Sequence, residues 1–187
     1  MTYDWLYELM RIINIYPRLG MIGPVSNQVG NIQKIQVGYK RIDEIQGWAQ
    51  QYTHQQAYDY RAVNMLGFFC LMMKREVFDE VGLLDENYGV GMFEDDDYCK
   101  EVSKAGYELG YTKKVFIHHY GSASFNKLSN REYQGIWNKN KTYFENKWGT
   151  KWSNDLIEFE SNVLKHGKTD IDWREYHRYQ LQKILEI

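Results

Sequence analysis

The chain has 187 residues, 43% of them hydrophobic and 16% aromatic, with a formal net charge of −2. That length suits one domain or a large part of one, and so much apolar content excludes a disordered chain. The near-neutral charge supplies no general field for nucleic acid, so no nucleic-acid partner is expected. Cys70 and Cys99 stand far apart with no C-x-x-C spacing, which fits buried thiols in a reducing compartment. The longest apolar run, MLGFFCLMM at 65–73, is too short to span a bilayer, and MTYDWLYELMRIINIY has no cationic segment ahead of an apolar block. A cytoplasmic location follows.

The first predicted element is a helix carrying Trp5, Leu6, Leu9, Ile12, Ile13 and Tyr16 at helical spacing, capped by Asp4 and ended by Pro17. Met21 and Ile22 begin a short buried strand that closes at Gly23-Pro24, and 24–35 reads as a polar loop. A surface helix is expected over 43–57. The unbroken apolar run at 65–73 predicts a strand buried on both faces at the centre of the sheet, with Gly67 where the backbone passes close to a ligand or a neighbour. A short helix over Arg75–Val81, a turn region at 82–89, and a helix from Asp95 to Gly106 with Tyr98, Val102 and Ala105 inward come next. Residues 107–111 and 115–118 read as two short strands. An aromatic helical stretch follows, with Tyr133, Ile136, Trp137, Tyr143, Phe144 and Trp148 as its apolar positions, and a final helix covers 172–186. This order is α/β: a mixed sheet flanked by helices, with a helical C-terminal extension.

Two stretches carry chemistry. FEDDDYC at 93–99 places four carboxylates, Glu94 to Asp97, at a helix start behind the glycine-rich approach GVGM. Such a cluster either caps the helix or forms a functional site, as a base or as part of a metal centre. FIHHYGSASF at 116–125 sets two histidines at a strand end. Neighbouring residues on a strand face opposite ways, so one of His118 and His119 reaches any given site. Asp95-Asp96-Asp97 and Asp170-Ile171-Asp172 both spell Asp-x-Asp, but neither follows an apolar strand, so neither reads as a donor-site motif.

Taken together, YDWLYELMRII, GMIGPVSNQVGNIQKI, GFFCLMMKREVFDEVGLLDENYGVGMFEDDDYCKEVSKAGYELGY and VFIHHYGSASF resemble the C-terminal half of family 2 glycosyltransferases with the glycosyltransferase A fold. The resemblance covers about residues 3–127. It implies a partial catalytic domain over 1–128, with 129–187 as a helical extension. By resemblance Asp95 is the general base of inverting transfer, Glu94 orients the acceptor or its loop, and Asp96 and Asp97 are first-turn caps. Gly67, Phe68, Gly91, Phe93 and Asn27 fall at acceptor-binding positions, and His119 at that of a metal ligand. In that family the nucleotide-binding half precedes the segment matching YDWL. The chain is therefore expected to be the acceptor-side portion, inactive alone, with a divalent cation (Mn or Mg) bound only when the other half is present. The implied partners are a nucleotide-sugar donor and a glycan or lipid-linked acceptor, the latter allowing peripheral contact at the inner face of the membrane. An uncovered apolar sheet edge is expected to make the chain self-associate. A non-catalytic carbohydrate-binding or assembly module on the same scaffold is the alternative.

Overall fold

The computed structural model describes residues 3–120 and 128–153. The predicted helix at 172–186, Asp170-Ile171-Asp172 and the GSASF loop lie outside them. Strand β1, Leu19–Val25, is buried at every position. It is flanked by parallel β4 (Glu108–Phe116) and, through Met21 and Ile22, by antiparallel β3 (Met72–Met73). Strand β2, Arg61–Val63, pairs antiparallel with β4, giving a four-stranded mixed sheet in the order β2-β4-β1-β3.

Alternation along β1 and β4 sends apolar side chains to both faces. Helix α1, Trp5–Ile15, lays Leu9, Ile12 and Ile13 on Leu19, Ile22, Val115 and Ile117. On the opposite face Met21, Val25, Leu109 and Tyr111 meet three further helices. These are α2 (Ile45–His54), α3 (Arg75–Val81) and α4 (Glu94–Lys104). They contribute Ile45 and Ala49, Val77, and Tyr98, Cys99 and Val102 respectively. Burying each such side chain is worth about 1.5–3 kcal/mol, so the central pair of strands anchors both layers. Helix α5, Asn130–Trp148, joins through a third cluster of Tyr88, Phe93 and Phe144 with Trp137, Tyr143, Trp148 and Trp152.

Several expectations are corrected. The sheet centres on β1 and β4, and the run at 65–73 supplies only the two-residue edge strand β3. Residues 64–71 are irregular, yet Leu66 is fully buried. The loop satisfies its backbone through side chains: Leu66 N–H donates to Cys99 Sγ (3.3 Å) and Gly67 N–H to Gln33 Oε1 (2.8 Å). An apolar run buried from both sides therefore needs no ladder. Gly67 does mark a close approach, because a Cβ there would lie 2.8 Å from Val29 Cγ2. Strand β1 continues through Gly23-Pro24 to Val25, and the two short strands expected at 107–118 are one. Asp4 sits at the start of α1 in a left-handed conformation and makes no side-chain cap. Of the segment 24–35, Pro24 and Val25 belong to β1, and in the loop that follows Asn31, Ile32 and Gln33 are buried.

Candidate functional site

The only parallel pair among the described strands, β1 and β4, brings two chain ends to one edge of the sheet. After Val25 come Ser26 and Asn27, and after Phe116 come His118 and His119. Asn27 locks the two together. Its Oδ1 accepts from the His119 N–H (2.8 Å), and its Nδ2 donates to the His119 carbonyl (3.1 Å). Helix α4 packs on β4 and is joined to it by a short turn at Gly106, so its first turn lies at this same edge. In open α/β sheets the edge beyond the carboxyl ends of the strands is where ligands bind. The start of α4 is thus directed toward the end of the sheet where Asn27 and His119 meet.

The irregular loop 64–71 connects the two halves of the site. The Phe68 backbone N–H lies near enough to the Asp95 carboxylate to favour its ionised form, and the next ring, Phe69, stacks on His119 with centroids 5.3 Å apart. The His119 imidazole donates its Nδ1–H to the Gln28 carbonyl (2.8 Å), because a carbonyl only accepts. His118 points elsewhere and pairs its Nδ1 with the Tyr39 hydroxyl. Sequence spacing left these two histidines equivalent, and the fold separates them.

The carboxylates divide into distinct roles. Asp95 is half-buried, and its carboxyl is pushed up to about 6, first by burial and then by the neighbouring Glu94 charge. The N–H groups of Asp96, Asp95 and Phe68 oppose that shift. One Asp95 oxygen accepts from the Asp96 N–H at 3.0 Å. Glu94 Oε2 is buried and has no hydrogen-bond partner among the described residues. Asp96 accepts from the Trp152 indole N–H (2.9 Å).

Asp97 departs from the capping expectation. It is 2% exposed and accepts from Lys147 Nζ (2.7 Å), Trp148 Nε1 (2.8 Å) and the Tyr88 hydroxyl (3.1 Å). It is an anchor for α5 instead of a cap for α4. Phe93 is 3% exposed, with its ring among Trp137, Phe144 and Trp152, so its side chain faces the α5 packing. Gly91 has φ 122 and sits in the turn that leads into α4. Two polar residues that no motif marks also shape the region. Gln33 is fully buried, donates to the Pro24 carbonyl (2.8 Å) and accepts from Gly67, tying loop 64–71 to β1. Asn140 of α5 reaches the turn before Glu94.

For a cation, His119 has the arrangement usual in metal-binding imidazoles: one nitrogen bound to a carbonyl, the other left with its lone pair. Among the described residues, however, no three His, Cys, Asp or Glu side chains gather to hold a metal ion. No described helix is long and apolar enough to cross a membrane.

Comparison with known proteins yields one partial likeness. The chain is 35% identical over 81 residues to a protein of Sinorhizobium fredii (strain NBRC 101917 / NGR234) described as "Uncharacterized protein y4gI". The match takes in 43% of this chain and 9% of that relative. No family model matches the chain, and no solved structure matches it.

Proposed function

We propose that the chain is the acceptor-side part of an inverting family 2 glycosyltransferase with the glycosyltransferase A fold, and that Asp95 is its general base. One observation carries this reading. The Asp95 carboxyl lies beside loop 64–71, whose Phe69 stacks on His119 just beyond β4, and partial burial raises it to about 6. At pH 7 such a group is chiefly ionised yet more basic than a surface aspartate, which suits it to take a hydroxyl proton.

In the proposed reaction an acceptor hydroxyl gives its proton to Asp95 as its oxygen bonds to the anomeric carbon of the donor. The bond from that carbon to the nucleoside diphosphate breaks on the opposite face. The electron pair leaves with the diphosphate oxygen, and the configuration inverts. Glu94, with an oxygen that finds no partner among the described residues, accepts from a second acceptor hydroxyl and orients it. His119 is the candidate ligand for a divalent cation, and a bound cation would offset charge on the diphosphate. The proposed partners are a nucleotide-sugar donor and a glycan or lipid-linked acceptor.

The Asp96 N–H bond to Asp95 favours a second reading, in which Asp95 is a structural cap and the chain a non-catalytic carbohydrate-binding module. A donor panel assayed for hydrolysis and transfer with the full-length protein separates the two. The transferase reading expects turnover that falls roughly 10²–10⁴-fold in Asp95→Asn. Full activity in that variant would remove Asp95 from the chemistry.

A further inference from the structure

The turn that leads into Glu94 and Asp95 follows a path that its sequence disfavours. Gly89 and Gly91 have φ 67 and 122, which glycine adopts freely, but Met92 and Phe93 follow at φ 72 and 73. A side chain with a Cβ loses about 1–2 kcal/mol in that region, so two in succession need outside support. The support comes from α5. Asn140 is 1% exposed, and its Nδ2 lies 2.8 Å from the Tyr88 carbonyl, 2.8 Å from that of Gly91 and 3.1 Å from that of Met92. Two amide protons shared among three carbonyls satisfy the inner side of the turn just before Phe93 takes its place under Trp137 and Trp152.

We propose that Asn140 is a positioning residue, whose amide holds the turn at 88–93, left-handed at Met92 and Phe93, that leads into Glu94 and Asp95. The helical extension thereby acts on the carboxylates through the backbone, without touching substrate. The functional sense of this rests on the reading of Asp95 as the base, but the mechanical claim does not.

The test titrates the Asp95 carboxyl by carbon NMR in the full chain, its resonance assigned by loss in Asp95→Asn. The wild-type midpoint is expected near 6. In Asn140→Ser the turn is released, water reaches the carboxylate, and the midpoint is expected to fall toward about 4. Adding Met92→Gly removes one of the two left-handed penalties, so Met92→Gly/Asn140→Ser is expected to move the midpoint back toward the wild-type value. A side chain that merely filled space would not be rescued by a glycine on another segment. An unchanged midpoint in Asn140→Ser, or a double variant that stays as shifted as Asn140→Ser, overturns the proposal. If Asn140→Ser does not fold, the double variant must fold and titrate above the ordinary value of about 4, and an unfolded double variant also overturns it. The titration needs neither donor nor acceptor. Absence of transfer in the full-length protein would therefore sink the proposed reaction and leave this result standing.

Discussion

Asp95 and Asp97 are two residues apart, yet the fold gives them opposite work. Folding raises the Asp95 carboxyl above its unfolded value of about 3.9, so the folded chain holds that proton more tightly. Stability therefore declines as pH rises from about 4 to about 6, and the cost stays in place above that. Asp95→Asn removes it, and we expect calorimetry at pH 7 to show a gain on the order of 1–2 kcal/mol, with loss of the proposed transfer in the full-length protein. A residue kept for capping would show the reverse, lower stability with activity retained. Asp97 is bound to Lys147, Trp148 and Tyr88 in a nearly dry setting. Asp97→Ala strands all three and is expected to cost about 3 kcal/mol or more in urea denaturation. A loss near the ~1 kcal/mol of an ordinary cap would contradict the anchoring role.

At the scale of elements, α5 is held by charge as well as by rings. Lys147 bridges Asp85 (3.1 Å) and Asp97 (2.7 Å), and Tyr143 donates to Asp85 (2.9 Å). The Asp85 carboxyl is lowered to about 2, chiefly by the Asn87 N–H, with Lys147 and Tyr143 adding to it against burial. A carboxyl depressed by folding contributes stability that is present above its unfolded value and lost as pH falls. Helix α5 should accordingly loosen between about pH 4 and pH 2, read as a change in tryptophan fluorescence from Trp137 and Trp148. Asp85→Asn should abolish that step. If the variant keeps the same acid transition, another carboxylate governs the docking.

At the scale of the whole molecule, among the described residues, helix α1 carries exposed apolar side chains. Leu9, Ile12 and Ile13 of α1 are covered by the sheet, whereas Leu6, Tyr7, Met10 and Ile15 are exposed at 49%, 66%, 48% and 54%. Nearby, an open groove of about 390 Å³ runs between Met10, Ile13 and Asn14 and the edge strand at Met72 and Met73. Apolar surface beside a short sheet edge favours pairing with another chain. The isolated chain is expected to associate at high concentration through this face. Light scattering should report a smaller species for Leu6→Glu/Tyr7→Glu, and a wild-type chain that stays monomeric would exclude such association.

Local pattern determined what depends on nearest neighbours. The 3.6-residue spacing of Leu9, Ile12 and Ile13 marked α1, and Arg75–Val81 is α3 as predicted, because each helix face is written in consecutive residues. The carboxylates of FEDDDYC were likewise legible as the start of a helix. Sequence could not say which apolar run becomes the central strand. MLGFFCLMM and LGMIGPV are both continuous, and their fates differ because α4 and Gln33 satisfy the backbone of the first while β4 pairs with the second. Nor could strand alternation tell His118 from His119, or spacing tell a desolvated carboxylate from an anchor within one acidic run. Those distinctions come from partners far along the chain: Asn27 to His119, Lys147 and Trp148 to Asp97, Asn140 to the turn before Glu94. Only packing in three dimensions sets which carboxylate is desolvated and which is paired, and that difference in environment sets their chemistry.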